Sequence, residues 1–328
     1  MFKFGNLEIK GKVILAPMAG YTSYGYRDFM NSFGVAFAVT EMVSDMGLIY
    51  GNKETASYIS FPKTDTPTGV QLFGHEPDNM AKALLICEKS NPNIAFYDVN
   101  MGCPVNKVTK TGAGSALLKN PKLCGDIIRA LKKVTDKPIS AKIRLGWDDN
   151  HINYLEVIKE LEEAGVDLIA LHARTTKELY AGEPHYDLLK DLRKKMSVPL
   201  VVSGNIFTVE DAVHALKITG ADAVMVARGG VGNPTLISSI NRYFEGEELL
   251  KPTFLEQIEY CKKLAKMMIE EKGEVVAMRI YRSIAPKFFN GYPNNKNLKT
   301  TLAMNLNTYQ DLEDILNEYQ EKISLQKM

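Results

Sequence analysis

Short, nearly continuous apolar runs recur along the first three quarters of the chain, and longer segments whose apolar positions repeat with helical periodicity follow them. The eight runs are Val13–Met18, Phe37–Val43, Thr68–Gly74, Ala95–Gly102, Pro138–Trp147, Leu168–Arg174, Pro199–Asn205 and Ala223–Gly229. Buried strands alternating with amphipathic helices are typical of a parallel sheet covered by helices. Eight such units favour a closed (β/α)8 barrel over an open doubly wound sheet. The pattern therefore predicts an α/β fold of the TIM-barrel type.

Each run is expected to lead into a helix, and the pattern changes near Glu245. The clearest helical segments are Pro77–Lys89, Cys124–Val134, Asn153–Ala164, Val209–Thr219 and Pro234–Phe244. Beyond a linker at Gly246 to Pro252, only helices are predicted, over Phe254–Glu271, Val275–Asn290, Asn295–Met304 and Tyr309–Ser324. We therefore expect a barrel domain over residues 1–245 and a small all-helical domain over residues 252–328.

Composition narrows the class of protein. The chain has 328 residues, of which 45% are hydrophobic and 24% charged, which indicates a folded globular protein. Its net charge of +1 gives no bulk preference for an acidic partner, so any such signal must be local. The four cysteines form no CxxC pair or metal-site spacing, which favours a reducing compartment and no metal. No signal peptide or membrane span is visible. We expect a soluble, cytoplasmic protein, and no obligate protein partner is evident.

Basic side chains gather at the predicted ends of two strands. The active site of a (β/α)8 barrel lies at the carboxyl ends of its strands. Lys142 and Arg144 are two residues apart and so share a face, as do His172 and Arg174. Burying such groups without a partner is costly, and an anionic ligand would remove that cost. The alternative, structural ion pairs, is disfavoured because residues 137–147 contain no Asp or Glu.

The last two strand ends are rich in glycine. Ser203-Gly204-Asn205 follows the seventh strand, and Arg228-Gly229-Gly230-Val231-Gly232 follows the eighth. Loops at these two places are the common phosphate site of the fold, with backbone amides as donors. Either loop alone could be an ordinary turn. Together they predict a phosphate site to which Arg228 adds charge.

Cys103 lies in the loop after the fourth strand, between Gly102 and Pro104. Most cysteines of this kind are inert and buried. Its place at the catalytic rim argues otherwise, whereas the other three cysteines fall in helical segments. A free thiol has a pKa near ~8.5 and is mostly protonated at neutral pH, which suits a proton donor.

Two stretches are basic and contain no acid. Residues 99–125 hold Lys107, Lys110, Lys119 and Lys122, and residues 275–310 hold Arg279, Arg282, Lys287, Lys296 and Lys299. The second also holds Tyr281, Phe288, Phe289, Tyr292 and Tyr309. Basic side chains among aromatic rings suit RNA, through phosphate contacts and base stacking. The aromatic residues could equally pack a small domain, but the charge asymmetry favours RNA.

Taken together, these residues resemble the bacterial tRNA-dihydrouridine synthases over almost the whole chain. The motifs are Ala16-Pro17-Met18-Ala19-Gly20, Asn100-Met101-Gly102-Cys103-Pro104, Gly112-Ala113-Gly114-Ser115-Ala116-Leu117-Leu118, Lys142-Ile143-Arg144-Leu145-Gly146-Trp147 and His172-Ala173-Arg174-Thr175. The resemblance implies NAD(P)H-dependent, FMN-mediated reduction of the C5–C6 double bond of uridine in tRNA to 5,6-dihydrouridine. It also implies that the C-terminal part is a helical RNA-binding domain.

The resemblance further implies roles for single residues. Pro17, Met18 and Ala19 would pack along the isoalloxazine ring of FMN, and Gln71 would bond its pyrimidine edge. Lys142 would lie near flavin N1 and O2, and His172 would contact the flavin. The FMN phosphate would be held by Ser203, Gly204, Asn205, Ala227 and Arg228. Asn100, Arg144 and Arg174 would orient the uridine, Cys103 would protonate its C5, and Arg279 and Arg282 would bind RNA.

Other functions stay open at this point. An FMN barrel dehydrogenase acting on a free pyrimidine would share the flavin and the basic rim, but would not need the basic helical tail. A ribosomal RNA uridine is a possible substrate in place of tRNA. A non-catalytic RNA-binding barrel would not need Cys103, and a Schiff-base aldolase using Lys142 would contain no flavin. The sequence does not distinguish NADPH from NADH as reductant.

Overall fold

Eight parallel strands close into a barrel, as the sequence predicts. A computed structural model of the chain describes residues 1–249, 251–292 and 295–326. After a short antiparallel hairpin of β1 (Phe2–Phe4) and β2 (Leu7–Ile9), the barrel strands are β3 (Val13–Leu15), β4 (Ala38–Ser44), β5 (Thr68–Phe73), β6 (Phe96–Met101), β7 (Ile139–Arg144), β8 (Leu168–His172), β9 (Leu200–Ser203) and β10 (Ala223–Val226). Neighbours pair in chain order, and β10 pairs with β3 to close the ring.

The N-terminal hairpin closes the amino end of the barrel, and the sequence pattern did not predict it. Phe4 is fully buried, with its ring centroid 5.7 Å from that of Phe37 and 4.9 Å from that of Phe96. Gly69 leaves room for the Phe96 ring, because a Cβ at this position would lie 2.2 Å from it. The two strands have three residues each and turn at Gly5, whose φ is +55°. Such short strands are too brief for their periodicity to be recognised.

The five helices whose positions the sequence predicts within the barrel are present, with ends shifted by at most a few residues, and shorter helices occur beside them. Together they are α1 (Tyr24–Asn31), α2 (Asp45–Ile49), α3 (Lys53–Ser57), α4 (Pro77–Ser90), α5 (Asn106–Thr109), α6 (Pro121–Lys132), α7 (Tyr154–Glu163), α8 (Val209–Thr219) and α9 (Thr235–Glu245). The expectation that a helix follows every strand is wrong after β8. That connection contains 3-10 turns at Tyr186–Leu189 and Leu192–Lys195, because Asp191 takes the left-handed conformation between them.

Helices alone make up the described chain after the barrel. They are α10 (Phe254–Lys272), α11 (Glu274–Tyr281), α12 (Asn295–Met304) and α13 (Tyr309–Gln326). The prediction of one helix over residues 275–290 is wrong, because α11 ends at Tyr281 and a 3-10 turn follows at Ala285–Phe289. Pro286 has no backbone N–H and disfavours a helical residue before it. Residue 250 of the expected linker, and residues 293–294 and 327–328 of the expected helical domain, lie outside the described residues.

The C-terminal helices are packed against the barrel beside α1. The Glu271 carboxylate of α10 accepts hydrogen bonds from the backbone N–H groups of Tyr24 and Gly25, at the amino end of α1. Gly25 permits close approach, because a Cβ there would lie 2.8 Å from the Met267 carbonyl oxygen. Gln257 donates to the Gly232 carbonyl, in the loop after β10, at 2.8 Å. Nowhere in the described chain is there a helix with the length and apolar character needed to cross a membrane.

Candidate active site

A cavity of about 350 Å³ opens at the carboxyl ends of the barrel strands. It is lined by Pro17, Met18, Ala19, Asn100, Cys103, Lys142, Arg144, His172, Ser203, Gly204, Asn205, Ala227 and Arg228, all of which the sequence analysis singled out. Two further candidates, Gln71 and Arg174, are fully buried close to it. The lining contains several cations and no Asp or Glu. The cavity is therefore suited to a ligand that carries negative charge.

Lys142 places an ammonium group in the cavity wall above a buried carboxyl group. Burial, together with the nearby Arg144 guanidinium, lowers the pKa of Lys142 to about 8, while Asp98 acts in the opposite direction. Asp98 itself is buried on β6, and its carboxylate accepts hydrogen bonds from Gln71 Nε2 and Ser140 Oγ, both at 2.6 Å. Burial raises the pKa of Asp98. Lys142 is therefore mostly protonated at neutral pH, although its pKa is lower than that of an ordinary lysine. A bound anion nearby would raise this pKa again.

Asn100 and Arg144 fix the loop that carries Cys103. The Asn100 side-chain oxygen accepts from the backbone N–H groups of Gly102 and Cys103, at 3.1 and 2.8 Å. Arg144 Nε donates to the Gly102 carbonyl at 2.8 Å, and its NH1 donates to the Thr175 and Leu179 carbonyls at 2.8 Å each. The Arg144 guanidinium therefore ties together the loops that follow β6 and β8.

The motif at residues 112–118 supports the same loop from behind. Ser115 donates to the Cys103 carbonyl through both its backbone N–H, at 3.0 Å, and its hydroxyl, at 2.9 Å. A Cβ on Gly114 would lie 2.8 Å from that carbonyl oxygen, so the close contact requires glycine. Burial raises the pKa of the Cys103 thiol, although the Val105 N–H, Arg144 and Lys142 act against it. Cys103 is therefore a protonated thiol at neutral pH, with a fixed backbone.

His172 is buried and neutral. Burial, and then the charges of Lys142, Arg144 and other neighbouring arginines, lowers the pKa of His172 well below its usual range. Arg174 NH1 lies 3.5 Å from His172 Nε2, which makes that nitrogen the acceptor, so Nδ1–H donates to Ser203 Oγ at 3.1 Å. Arg174 also donates to the Ala181 and Gly182 carbonyls, at 2.9 and 2.6 Å. His172 thereby orients the Ser203 hydroxyl beside the cavity.

The two glycine-rich loops meet at one edge of the cavity. Gly229 packs against the backbone of Ile206, since a Cβ at Gly229 would lie 2.0 Å from the Ile206 carbonyl oxygen. The Arg228 guanidinium lies between two aromatic rings, 5.2 Å from the centroid of Tyr180 and 5.7 Å from that of Phe207. A cation held over ring faces is stabilised without being neutralised. The charge of Arg228 is therefore available to a phosphate at this edge.

Comparison with known proteins identifies the family. The family model for dihydrouridine synthase (Dus) matches residues 14–325. A probable tRNA-dihydrouridine synthase of Rickettsia conorii is 34% identical over 297 residues, which are 90% of this chain and 89% of that one. tRNA-dihydrouridine synthase B of Shewanella oneidensis is 34% identical over 276 residues, which are 83% and 85% of the two chains. The chain belongs to the dihydrouridine synthase family.

Membership of the dihydrouridine synthase family confirms the resemblance seen in the sequence, and makes the chain a flavin-dependent oxidoreductase. A probable tRNA-dihydrouridine synthase 1 of Synechocystis is also similar, at 32% identity over 96% of this chain and 88% of that one. Among solved structures, morphinone reductase in complex with tetrahydroNAD matches 78% of this chain and 92% of that one, with 13% identity and a TM-score of 0.49. A likeness of that size does not bear on function.

Some candidate residues of this family member lie elsewhere than at the cavity wall. Gln71 is enclosed beneath Asn100, whose amide donates to Gln71 Oε1 at 2.8 Å. Arg279 is exposed on α11 and does not line the cavity. Arg282 donates through Nε to the Leu306 carbonyl at 2.6 Å, and through NH2 to the Asn307 side chain. Arg282 thus holds the turn between α12 and α13.

The structure of this dihydrouridine synthase also adds residues that the sequence analysis missed. Asp98 lies beneath Lys142, and its signal was a single acid in an apolar strand, two residues before Asn100. Tyr180 and Phe207 line the cavity although half of each side chain is exposed. They lie in loops whose sequences have no hydrophobic periodicity, so the sequence pattern could not predict that they line the cavity. Among the described residues, no group of His, Cys, Asp and Glu could hold a metal ion.

Proposed function

We propose that the chain reduces the C5–C6 double bond of uridine in tRNA to 5,6-dihydrouridine, with bound FMN and with NADPH or NADH as reductant. The single observation that carries this proposal is that one cavity holds the Cys103 thiol, the Lys142 ammonium group and both glycine-rich loops. The family supports the reaction. The names of the relatives, which are tRNA-dihydrouridine synthases, support tRNA as substrate.

FMN fits the chemistry of the cavity, because FMN is an anion and the lining holds cations without carboxylates. Its phosphate would be held by Ser203, Gly204, Asn205, Ala227 and Arg228, and its ring by Pro17, Met18 and Ala19. Lys142 and His172 would contact the ring, and Gln71, whose amide also bonds Asp98 and Asn100, would bond its pyrimidine edge. Once reduced by NADPH or NADH, bound FMN would supply the hydride that adds to C6 of uracil. Lys142 would then be held in its charged form, because a nearby anion raises the pKa of an ammonium group.

Cys103 would donate the proton that uracil C5 takes up as C6 gains hydride. A protonated thiol is needed at the start of this step, and burial keeps Cys103 in that form at neutral pH. The step leaves a thiolate, which the nearby Arg144 and Lys142 charges stabilise until a solvent proton restores the thiol. The hydrogen bonds of Asn100 and Ser115 hold the Cys103 backbone in one place throughout.

Asn100, Arg144 and Arg174 would orient the uridine, in part by fixing the loops around it. We propose the barrel, residues 1–245, as the catalytic domain, and residues 252–328 as an RNA-binding domain that uses Arg279 and Arg282. Support for RNA binding comes from the acid-free stretch 275–310. For Arg282, the support is weaker than for Arg279, because its guanidinium already bonds the Leu306 carbonyl.

The test is a product assay with tRNA that lacks modification. The flavin-loaded protein and NADPH are incubated with this tRNA, and the digested nucleosides are analysed by mass spectrometry. The expected result is that dihydrouridine forms in the tRNA, whereas ribosomal RNA fragments yield no dihydrouridine and free orotate yields no dihydroorotate. Turnover of orotate, with no change in the tRNA, would contradict the proposal and favour a dehydrogenase of free pyrimidines.

A further inference from the structure

A tryptophan with two lysines over its ring lies on the rim of the barrel, outside the cavity. Lys119 Nζ is 3.5 Å from the centroid of the Trp147 ring, and Lys177 Nζ is 5.6 Å from it. We call these three residues the Trp147 cluster. Both lysines are exposed. Within residues 1–249, 251–292 and 295–326, neither lysine takes part in a salt bridge.

The cluster is built from the loops that also form the cavity. Lys119 ends the 3-10 turn whose Gly114 and Ser115 support the Cys103 backbone. The Lys177 backbone N–H donates to the Trp147 carbonyl at 3.0 Å. This bond joins the loops after β7 and β8, and the contact of Lys119 with the Trp147 ring adds the loop after β6, so the two lysines lie close to the cavity mouth.

Acidic groups near the cluster leave most of its charge in place. Asp148 follows Trp147 in the chain, and its side chain is paired with His151 Nδ1 at 2.5 Å. The Lys177 charge contributes only a minor part of the lowered pKa of Asp148, after that hydrogen bond. Asp149 follows in the sequence and is exposed. The lysines held over the Trp147 ring therefore present positive charge to solvent, at a site where an aromatic ring restricts their motion.

The barrel places the cluster opposite the C-terminal helices. In the order β3, β4, β5, β6, β7, β8, β9, β10, strand β7 stands four positions from β3 in either direction. Trp147 follows β7, whereas α10 packs against α1, which follows β3. The cavity lies between the Trp147 cluster and the C-terminal helices. A polynucleotide that places one base in the cavity would therefore extend over the cluster on one side and over the helices on the other.

We propose that the Trp147 cluster binds the sugar-phosphate backbone of the RNA substrate, on the side of the cavity opposite the C-terminal helices. This inference rests on the proposed function, because it takes RNA as the substrate. Ammonium groups that are fixed but not neutralised suit phosphates, since phosphate contacts position a nucleic acid without reading its sequence. The two lysines would hold the RNA in place while the target uridine enters the cavity.

The test compares two double variants in their binding of fluorescently labelled, unmodified tRNA over a range of salt concentrations. The test variant is Lys119→Gln with Lys177→Gln. The control variant is Lys195→Gln with Lys217→Gln, because these exposed lysines precede β9 and β10 at the other end of the barrel. The test variant is expected to bind about tenfold more weakly near 0.1 M salt, and its log–log salt slope should be smaller by about 1–2. The control should bind like the wild type.

Equal affinity of the test variant and the wild type, or equal losses in both double variants, would overturn the proposal. Flavin affinity and flavin reduction by NADPH are measured alongside, and both should be unchanged. If the test variant does not fold, acetylation of lysines in the wild type decides instead. Bound tRNA should protect Lys119 and Lys177 but leave Lys195 and Lys217 reactive, and equal reactivity of all four would overturn the proposal.

Failure of the proposed function gives a different result. In that case wild-type protein carrying reduced flavin would not be reoxidised by unmodified tRNA, whatever the two double variants bind. If the wild type is reoxidised by tRNA and the test variant binds tRNA with unaltered affinity, only the Trp147 cluster proposal fails.

Discussion

The cations at the barrel mouth and those on the outer rim and the C-terminal helices are held in different ways. Lys142 is half-buried in the cavity wall and Arg144 is buried, and desolvation lowers the pKa of both. Lys119, Lys177 and Arg279 are exposed at the surface. A buried cation is costly unless an anion joins it, whereas an exposed one costs little and is screened by salt. We infer from this difference that the cations at the mouth serve a bound anion and the reaction there. The exposed cations serve salt-dependent binding of RNA at the outer surface.

The largest expected effect is on the rate of uridine reduction, and it comes from replacing Cys103 at the barrel mouth. Cys103→Ala removes the proposed proton donor, and should slow tRNA-dependent reoxidation of the reduced flavin by about 10²–10⁴-fold. Flavin binding and reduction by NADPH should stay as in the wild type, because neither step uses this proton. Stopped-flow absorbance without oxygen measures both half-reactions. A variant that reoxidises at the wild-type rate would remove Cys103 from the mechanism.

Lys142→Met tests whether the buried cation serves the flavin. We expect a loss of about 10²-fold in the rate of flavin reduction by NADPH, since one charge at the flavin is removed. Lys177→Met is the matched control, because it removes an exposed lysine and should leave this rate unchanged. Equal rates in the wild type and Lys142→Met would show that Lys142 does not act on the flavin.

Lys142 should also make the free energy of unfolding depend on pH in a predictable direction. The pKa of Lys142 is about 8 in the folded protein and 10.5 as its ordinary value, so the unfolded chain binds the extra proton between these pH values. The free energy of unfolding of flavin-free protein should therefore rise with pH across this window, by up to about 3 kcal/mol. Urea titrations at several pH values measure this rise. It should be absent in Lys142→Met, and its persistence there would assign it to another group.

Arg279→Ala and Arg282→Ala compare an exposed arginine of the C-terminal helices with one that is bonded within them. Arg279→Ala should weaken tRNA binding by a few fold, with no change in the melting temperature, because the side chain is exposed. Arg282→Ala removes a donor from the Leu306 carbonyl, and should reduce the free energy of unfolding by about 1–2 kcal/mol. Calorimetry and tRNA binding are measured on both variants. Equal melting temperatures in the two would contradict the structural role of Arg282.

The smallest expected effect concerns the aromatic support of Arg228. Phe207→Ala removes one of the two rings beside this guanidinium, and should weaken FMN binding by about 2–5-fold. Phe207→Tyr keeps a ring and should restore the affinity. Recovery of flavin fluorescence on dilution gives the dissociation constants. If the alanine and tyrosine variants bind FMN equally well, the ring does not support Arg228.

The barrel was readable from the sequence because each strand is a continuous apolar run, and the motifs fall at the strand ends. The same rule brought Cys103, Lys142 and His172 to one cavity. Contacts made by side chains across loops were not readable. Nothing in the local pattern shows that Arg174 bonds the Ala181 and Gly182 carbonyls, or that Arg282 bonds Leu306, because both bonds depend on tertiary structure. Pro286 lies in the 3-10 turn beyond α11 and signalled a break in the helix, but the apolar periodicity around it concealed that break.

The most direct test of the account is a spectrum of the flavin-loaded protein without oxygen. NADPH should bleach the flavin absorption, and addition of unmodified tRNA should then restore it, while orotate should not. That result would join the cavity, the flavin and the RNA substrate in one reaction. A reduced flavin that stays bleached with tRNA but recovers with orotate would contradict the central claim that this site acts on uridine in tRNA.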